Sequence, residues 1–225
     1  MLAGSEGTLA TVTEATVSLE PIPATASVAL LTYDDVIGAM EDVAPILEHD
    51  PAAVEVMDDV LLDLARDTTE FADVVGLLPD GTDAVLLVEF YADDDAAGRQ
   101  RVADLVADRV PDADTEAAPD DGAASLTEAP RTAVGAMEAH DAATREKFWK
   151  MRKSGLPILL SRTTDEKHIA YIEDTAIPAE NLPAYVPDFQ AILNEHNTFA
   201  SYYAHAGPGV LHIRPLVNTQ TAHVV

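Results

Sequence analysis

The chain has 225 residues, 48% of them hydrophobic, so it can fill a folded core and is not a disordered polymer. Forty acidic residues against thirteen basic ones give a formal net charge of −27, and no basic stripe is present to bind nucleic acid. The absence of cysteine excludes disulfides, thiolate metal sites and iron–sulfur clusters within the chain. The sequence has no run of about 18 apolar residues and no signal peptide, so we predict a cytoplasmic protein without a transmembrane segment.

The acidity of the chain allows two interpretations. One is a basic partner, and the other is a surface adapted to molar salt, where the Debye length falls to about 3 Å and self-repulsion is screened. The acidic residues are spread over the whole chain rather than gathered in one tail. This distribution favours a salt-adapted surface and predicts a halophilic source.

The first half of the chain alternates strand and helix patterns. Residues 4–22 begin with a glycine-rich turn and continue with alternating apolar positions over 9–19, which predicts a strand or hairpin. A second strand pattern at 26–33 precedes an amphipathic helix at 36–49. The following segments are a predicted strand at 52–57, short helices at 58–67 and 70–78, a strand at 84–91 and a helix at 93–108.

The second half begins with an acidic, proline-containing segment at 111–130, which we predict to be an exposed, flexible loop. Strands and helices alternate along the chain, without the long buried runs and glycine-rich turns of a doubly wound parallel sheet. We therefore predict an α+β fold, with an antiparallel sheet backed by helices in the ferredoxin-like manner. The remaining elements are predicted as a helix at 135–153, a strand at 168–173, a helix at 180–195, and strands at 198–205 and 210–214.

Two histidines flank a predicted hairpin near the carboxyl terminus. Glycine and proline at 207–209 predict a turn that places His205 and His212 directly opposite each other on one face of the sheet. Two imidazoles in that position can bind one divalent ion, although a catalytic site needs a third ligand, for which His223 is a weak candidate. The spacing is equally compatible with a pair of histidines that cap a sheet edge.

The segment 145–155 is the one strongly basic stretch of the sequence. On a helix, Arg145, Trp149 and Arg152 share one face, and an arginine beside an aromatic ring suits bidentate binding of a carboxylate. These residues alone favour a simpler interpretation, a surface helix whose basic residues interact with the negative end of the helix dipole.

Two shorter patterns have structural interpretations of their own. The glycine turn at 4–8 could bring backbone N–H groups against a phosphate, but an ordinary turn is favoured. Glu173 and Asp174 follow an apolar strand, a position typical of a helix-capping carboxylate.

Taken in order, these segments resemble the vanillyl-alcohol-oxidase superfamily of flavoproteins, in the branch with an FAD-linked oxidase C-terminal domain. Residues 4–21 look like the segment that ends the family's FAD-binding domain, and 148–157 look like its substrate-arginine helix. Residues 171–178 look like the strand and turn before its next helix, and 202–215 look like its metal-binding hairpin. The ending Leu-His-Ile-Arg-Pro at 211–215 is most similar to large proteins that fuse this module to an iron–sulfur module.

The resemblance implies an FAD-dependent dehydrogenase of small D-2-hydroxy acids, with D-lactate, glycolate and D-2-hydroxyglutarate as candidate substrates. Carried over by position, Arg152 would clamp the substrate carboxylate. His205 and His212 would hold a divalent metal, commonly zinc, near the substrate hydroxyl. The remnant of the flavin-binding wall would comprise Ser5, Glu6, Gly7 and Thr8.

The resemblance also implies a division of the chain. Residues 1–23 would end the FAD-binding domain and 24–225 would form the substrate domain, with the rest of the FAD domain and an iron–sulfur module as partners. Such a parent protein could bind peripherally to the inner face of the membrane. The family's third metal ligand, a Glu in a Glu-His-Gly motif, has no counterpart before Val225. We therefore expect a fragment that by itself neither retains FAD nor turns over substrate.

The alternative hypothesis is a non-catalytic, acidic α+β module for binding or assembly. The two hypotheses differ in geometry, because the enzymatic one requires Arg152, His205 and His212 to face one cavity.

Overall fold

The computed structural model describes residues 5, 7–19, 21–69, 71–111 and 133–220, and its centre is one antiparallel sheet. The strands are β1 (Thr25–Tyr33), β2 (Ala53–Asp58), β3 (Ala84–Ala92), β4 (Gly135–Ala139), β5 (Lys167–His168), β6 (Ala200–His205) and β7 (Val210–Val217). Among the described residues they lie in the order β4-β1-β3-β2-β6-β7-β5, and each neighbouring pair is antiparallel.

The helices are α1 (Val36–Leu47), α2 (Asp59–Arg66), α3 (Ala72–Val75), α4 (Asp95–Arg109), α5 (Ala142–Lys153), α6 (Gly155–Leu160) and α7 (Leu182–Glu195), with a 3₁₀ turn at Ala179–Asn181. Strands β1 to β4 with α1 and α4 follow the β-α-β-β-α-β order of the ferredoxin-like motif, with α2 and α3 inserted between β2 and β3. The predicted α+β fold class is thus confirmed. No helix in the described ranges is both long and apolar enough to span a membrane.

Helices cover both faces of the sheet, so its central strands are buried on both sides. One hydrophobic cluster joins the sheet to α1, α4 and α7, and a second joins it to α2, α3, α5 and α6. All residues from Ala84 to Val88 in β3 are therefore fully buried. This explains why β3 is a continuous apolar run rather than an alternating pattern.

Several of the many aspartates in the chain stabilise the first turns of helices. In four helices an aspartate side chain accepts the backbone N–H three residues ahead, the usual N-cap arrangement. These caps are Asp35 of α1, Asp58 of α2, Asp94 of α4 and Asp141 of α5.

Asp58 also ties β2 to β6. Its Oδ1 accepts hydrogen bonds from Leu61 N and Ser201 Oγ at 3.1 and 2.8 Å, and its Oδ2 accepts one from Tyr202 N at 2.6 Å. Burial raises the pKa of Asp58 to about 7, although these hydrogen bonds oppose the shift. The carboxyl group thereby anchors the strand that ends at His205.

A second buried carboxylate connects the helices α1 and α4. Asp42 of α1 pairs with Arg109 of α4, whose Nε donates to Asp42 Oδ1 at 2.8 Å. Tyr33 donates to the other carboxylate oxygen at 2.7 Å. These partners offset the desolvation of both charges, which would otherwise cost several kcal/mol per ion.

Two predicted elements differ in the structure because of their neighbours. Residues 135–139 form β4 instead of the start of a helix, since they pair with β1, and the helix begins only after the Asp141 cap. The strand predicted at 168–173 is reduced to β5 and a single bridge between Ile172 and Ile213.

The strand prediction for the amino-terminal segment is wrong for its described residues. Residues 7–19 form neither helix nor strand, and Leu9 and Leu19 are 69% and 87% exposed. An alternating pattern makes a strand only where a neighbour satisfies its backbone groups, and no described strand pairs with this one. The predicted loop at 111–130 lies, from residue 112 onward, outside the described residues, as does His223.

Candidate functional site

The three residues predicted to act on substrate or metal meet on one face of the sheet. Arg152 comes from α5, His205 from the end of β6 and His212 from β7. The face is the one that α2, α3, α5 and α6 cover, because Tyr203, two positions before His205 and therefore on the same face of β6, belongs to that cluster. Arg152 therefore lies on the same side of the sheet as both histidines, as the enzymatic hypothesis requires.

The register of the hairpin differs from the prediction. His205 pairs with Val210, and His212 pairs with Tyr203, so the two histidines are diagonal neighbours instead of direct partners. The difference arises because the turn spans four residues, Ala206 to Gly209, and closes with a hydrogen bond from Gly209 N to Ala206 O. The histidines still share one face, and their ring centroids are 5.2 Å apart.

Glu55 of β2 links the first histidine to the arginine. Its Oε1 lies 2.8 Å from His205 Nδ1, and its Oε2 lies 2.8 Å from Arg152 Nη2. Glu55 and Arg152 are both buried, whereas the His205 side chain is half exposed. The contact with Arg152 is an ion pair rather than an aligned hydrogen bond, because Arg152 Nη2 and Glu55 Oε2 have no hydrogen-bond partner in the described structure.

A second set of the same composition surrounds the other histidine. His212 Nδ1 lies 2.9 Å from Glu173 Oε2, although the two atoms are poorly aligned for a hydrogen bond. The other oxygen of Glu173 pairs with Arg214 Nη1, and Asp174 Oδ1 lies 3.5 Å from His212 Nδ1. Glu173 and Asp174 therefore interact with the site instead of capping a helix, and the next helical turn begins only at Ala179.

Tyr203 lies between the two Arg–Glu–His sets. The guanidinium carbons of Arg152 and Arg214 lie 5.1 and 5.5 Å from its ring centroid, within the range of cation–π contacts. Arg214 Nη2 also donates to the Tyr203 hydroxyl at 2.9 Å, and the His212 ring is 5.3 Å away. The buried ring of Tyr203 thus contacts both guanidinium groups of the site.

The donor set around His212 fits a divalent cation. Glu173, Asp174 and His212 each present one ligand atom, and these atoms lie within 4.8 Å of one another. Burial lowers the pKa of His212, and the neighbouring His205 and Arg152 lower it further against the opposing effect of Glu173. A lowered pKa keeps the imidazole neutral, which is the form that coordinates metals.

Other predicted residues lie outside this arrangement. Trp149 Nε1 donates to Glu89 Oε1 at 2.8 Å, and Arg145 pairs with the carbonyl of His140 at the start of its own helix. In the amino-terminal turn, Thr8 N and Thr8 Oγ1 both donate to Ser5 O, at 2.8 and 2.6 Å, next to Gly7 with a φ of 76°. Glu6 lies outside the described residues.

Three site residues escaped the sequence reasoning: Glu55, Tyr203 and Arg214. Glu55 could have been found, since it is a carboxylate in the middle of an apolar strand pattern, and Glu is rarely buried without a partner. Arg214 could have been found in the same way, since it is a charged residue within the apolar pattern of β7. Their partners lie far away in the sequence, so the contacts themselves were not predictable.

Comparison with known proteins identifies the family. The model for FAD linked oxidases, C-terminal domain, matches residues 22–224. The chain belongs to this family. The resemblance to the FAD-linked oxidase C-terminal domain is thereby confirmed for residues 22–224.

Curated relatives cover nearly the whole chain. It is 31% identical over 222 residues to a D-2-hydroxyglutarate dehydrogenase of Escherichia coli, and 29% identical over 226 residues to one of Pantoea ananatis. The chain spans 20% and 21% of the lengths of these two relatives, although 97% and 99% of its own length is matched. Glycolate oxidase subunit GlcD of Escherichia coli is 28% identical, and the match covers 96% of the chain and 38% of that protein.

Solved structures share the fold at low sequence identity. The match to alkyldihydroxyacetonephosphate synthase covers 88% of this chain and 37% of that protein, with a TM-score of 0.52 and 12% sequence identity. The match to the 4-ethylphenol oxidase from Gulosibacter chungangensis covers 91% of this chain and 42% of that protein, with a TM-score of 0.51 and 14% sequence identity.

Proposed function

We propose that the chain is the substrate-binding domain of an FAD-dependent dehydrogenase that oxidises D-2-hydroxy acids. The observation that carries the proposal is the convergence of Arg152 with His205 and His212 around Tyr203 on one face of the sheet. The relatives that match the chain over nearly its full length are named for oxidation of 2-hydroxy acids, namely D-2-hydroxyglutarate and glycolate. The alternative, a non-catalytic acidic module, does not account for this convergence.

Arg152 is suited to hold the substrate carboxylate. Its Nε and Nη2 atoms are buried and have no hydrogen-bond partner among the described residues, while Glu55 fixes the position of the guanidinium. A buried donor without an acceptor is costly, and a ligand carboxylate would satisfy two donors at once. We infer that this carboxylate is that of the hydroxy acid, with D-lactate, glycolate and D-2-hydroxyglutarate as the candidates.

The histidines are suited to hold a divalent metal, for which we propose zinc. His205 and His212 would supply ring nitrogens, and Glu173 or Asp174, whose ligand atoms lie within 4.8 Å of that of His212, would contribute an oxygen. A metal held there would supply Lewis acidity at the substrate hydroxyl, and bound FAD would supply an acceptor for the hydride of the α-carbon. The protein's own residues would orient the acid: Arg152 at the carboxylate, and the imidazoles on the hydroxyl side.

The flavin would be supplied mostly by the rest of the parent protein. We propose that residues 1–23 belong to its FAD-binding domain, with Ser5, Glu6, Gly7 and Thr8 near the flavin, and that 24–225 form the substrate domain. The exposed apolar side chains of the amino-terminal segment support this division, since they offer a surface for another domain: Leu9, Val12, Val17, Leu19 and Ile22. An iron–sulfur module as the electron acceptor is part of the same proposal.

Anaerobic flavin reduction tests the proposed function. The complete flavoprotein is mixed with D-lactate, glycolate or D-2-hydroxyglutarate, and loss of the oxidised flavin absorbance is followed. We expect reduction by at least one of these acids, and a loss of about 100-fold in kcat/KM for Arg152→Lys, because a lysine cannot replace a bidentate guanidinium.

The matched control is Arg145→Lys, which changes an arginine of the same helix that pairs with a backbone carbonyl outside the site. We expect it to leave kcat/KM unchanged. Flavin that stays oxidised with all three acids, or an Arg152→Lys variant as active as the control, would contradict the proposal.

A further inference from the structure

Glu55 is a buried acid at the centre of the sheet. It lies on β2 between Leu87 of β3 and His205 of β6, and it is 6% exposed. A carboxylate in such a place is strongly unfavourable unless charged or hydrogen-bonding partners compensate for the lost solvent. Its two partners are both residues of the proposed site, one on each carboxylate oxygen.

The contact with His205 determines which ring nitrogen carries the proton. An ionised carboxylate only accepts hydrogen bonds, so the Nδ1 that lies 2.8 Å from Glu55 Oε1 has to be the protonated nitrogen. In the neutral ring, the Nε2 of His205 is then the nitrogen with a lone pair. This is the arrangement in which a carboxylate orients an imidazole for a ligand on its far side.

The ion pair with Glu55 holds the Arg152 guanidinium in place but does not satisfy its N–H donors. The Glu55 and Arg152 side chains are each 7% exposed, and their closest atoms are 2.8 Å apart. Arg152 Nε and Nη2 nevertheless have no aligned acceptor among the described residues. The guanidinium is therefore held in place while its N–H groups remain available.

We propose that Glu55 is a positioning residue that sets the tautomer of His205 and the place of Arg152 together. This proposal rests on the proposed function, since it assigns the two partners to substrate and metal. It adds that Glu55, from a strand distant in sequence from both partners, couples two parts of the site. These are Arg152, which would bind the substrate carboxylate, and His205, which would lie near the substrate hydroxyl.

The test separates the two contacts of Glu55 by two variants. Glu55→Gln keeps an oxygen that can accept from His205 Nδ1 but loses the charge opposite Arg152. We therefore expect an unchanged His205 tautomer and a KM for the hydroxy acid about tenfold higher, with a smaller effect on kcat. Glu55→Ala loses both contacts, and we expect kcat/KM to fall about 100-fold, the upper range for removal of such a partner.

The tautomer is read directly, without substrate, metal or flavin. Proton–nitrogen correlation spectra of the isotope-labelled 225-residue chain distinguish the two ring nitrogens of each histidine. The His205 signals are those lost in His205→Asn. We expect Nδ1–H in the wild type and in Glu55→Gln, and a shift to Nε2–H, the form preferred by free imidazole, in Glu55→Ala.

Glu89→Gln and Glu89→Ala are the matched controls. Glu89 lies on the neighbouring strand β3, on the same face, and accepts a hydrogen bond from Trp149 of α5. Neither variant should change the His205 tautomer or KM. An Nδ1–H tautomer that persists in Glu55→Ala would overturn the positioning role, and so would a KM in Glu55→Gln equal to that in Glu89→Gln.

Failure of the proposed function gives a different result. If the flavoprotein oxidises none of the candidate acids while Glu55→Ala shifts the tautomer, the substrate assignment is wrong and the effect of Glu55 on His205 stands.

Discussion

At the scale of single residues, His168 shows how burial selects a protonation state. It is 1% exposed, its Nδ1 lies 2.9 Å from Arg214 O, and its Nε2 lies 3.3 Å from Arg162 Nη1. The carbonyl can only accept and the guanidinium can only donate, so the neutral Nδ1–H tautomer satisfies both. Burial lowers the pKa of His168, and Arg162 lowers it further against the opposing hydrogen bond to the Arg214 carbonyl.

The lowered pKa of His168 predicts a loss of stability in acid. The folded chain holds the proton less tightly than the unfolded chain, whose histidine titrates near the ordinary value of 6.5. The stabilisation is therefore complete above about pH 7 and decreases as the pH falls through about 6.5 toward the lower folded-state pKa. Urea unfolding at several pH values measures this slope.

The variant His168→Gln should lose that part of the pH dependence, because an amide does not titrate in this range. His196→Gln is the control, since His196 is exposed at the end of α7. Subtraction of the variant's curve from that of the wild type cancels the carboxylates common to both. A difference that is flat between about pH 7 and pH 5 would contradict the assignment of a neutral His168.

At the scale of elements, the histidine hairpin depends on one glycine. Gly209 has a φ of 71°, and a Cβ at this position would lie 1.6 Å from Ile177 O. Ile177 N also donates to Gly209 O at 3.0 Å, so the turn packs closely on the segment before α7. The close approach holds β6 and β7, and thereby His205 and His212, against this segment.

Gly209→Ala and Gly81→Ala separate the conformational cost from the clash. Gly81 has a φ of 84°, but a Cβ there would meet nothing within 4 Å. We expect Gly81→Ala to lower the free energy of unfolding by about 1 kcal/mol through backbone strain alone. Gly209→Ala should cost roughly 3 kcal/mol or more, because backbone atoms have to move as well. Equal unfolding midpoints of the two variants in urea would show that the turn relaxes freely.

At the scale of the whole molecule, the net charge of −27 opposes compact folding. Buried carboxylates such as Glu55 and Asp42 have partners, and caps such as Asp35 and Asp94 lie at helix ends. Many other acidic side chains are exposed, and repulsion among them is screened only by salt. We propose that this surface belongs to a protein from a halophilic source.

The charge predicts a stability that rises steeply with salt. Between about 0.1 and 1 M KCl the Debye length falls from about 10 to about 3 Å, so repulsion among exposed carboxylates is largely removed. The thermal midpoint should therefore rise over this range, and NaCl at equal ionic strength should act alike. A midpoint independent of salt would contradict screening as the cause, and a response to KCl alone would indicate specific ion binding.

Local patterns were sufficient for the central elements and for the family. The strands β1 and β3 follow from apolar runs of strand length, and α1 follows from the helical spacing of its apolar residues behind an aspartate cap. These patterns are local, because they join residues close in sequence. The basic helix and the His-Ala-Gly-Pro-Gly hairpin carry a family resemblance, and so Arg152, His205 and His212 were predicted as a group. Their roles in binding substrate and metal remain predictions.

The remaining features were decided by contacts between distant segments. Residues 135–139 form a strand because β1 has a free edge, whereas residues 7–19 alternate without a described strand beside them. The length of the turn set the diagonal register of the histidines. Glu55 joins the site from 150 positions before His205. The sequence by itself determined which side chains could act, and only the tertiary structure decided their partners, because burial and pairing depend on segments that folding brings together.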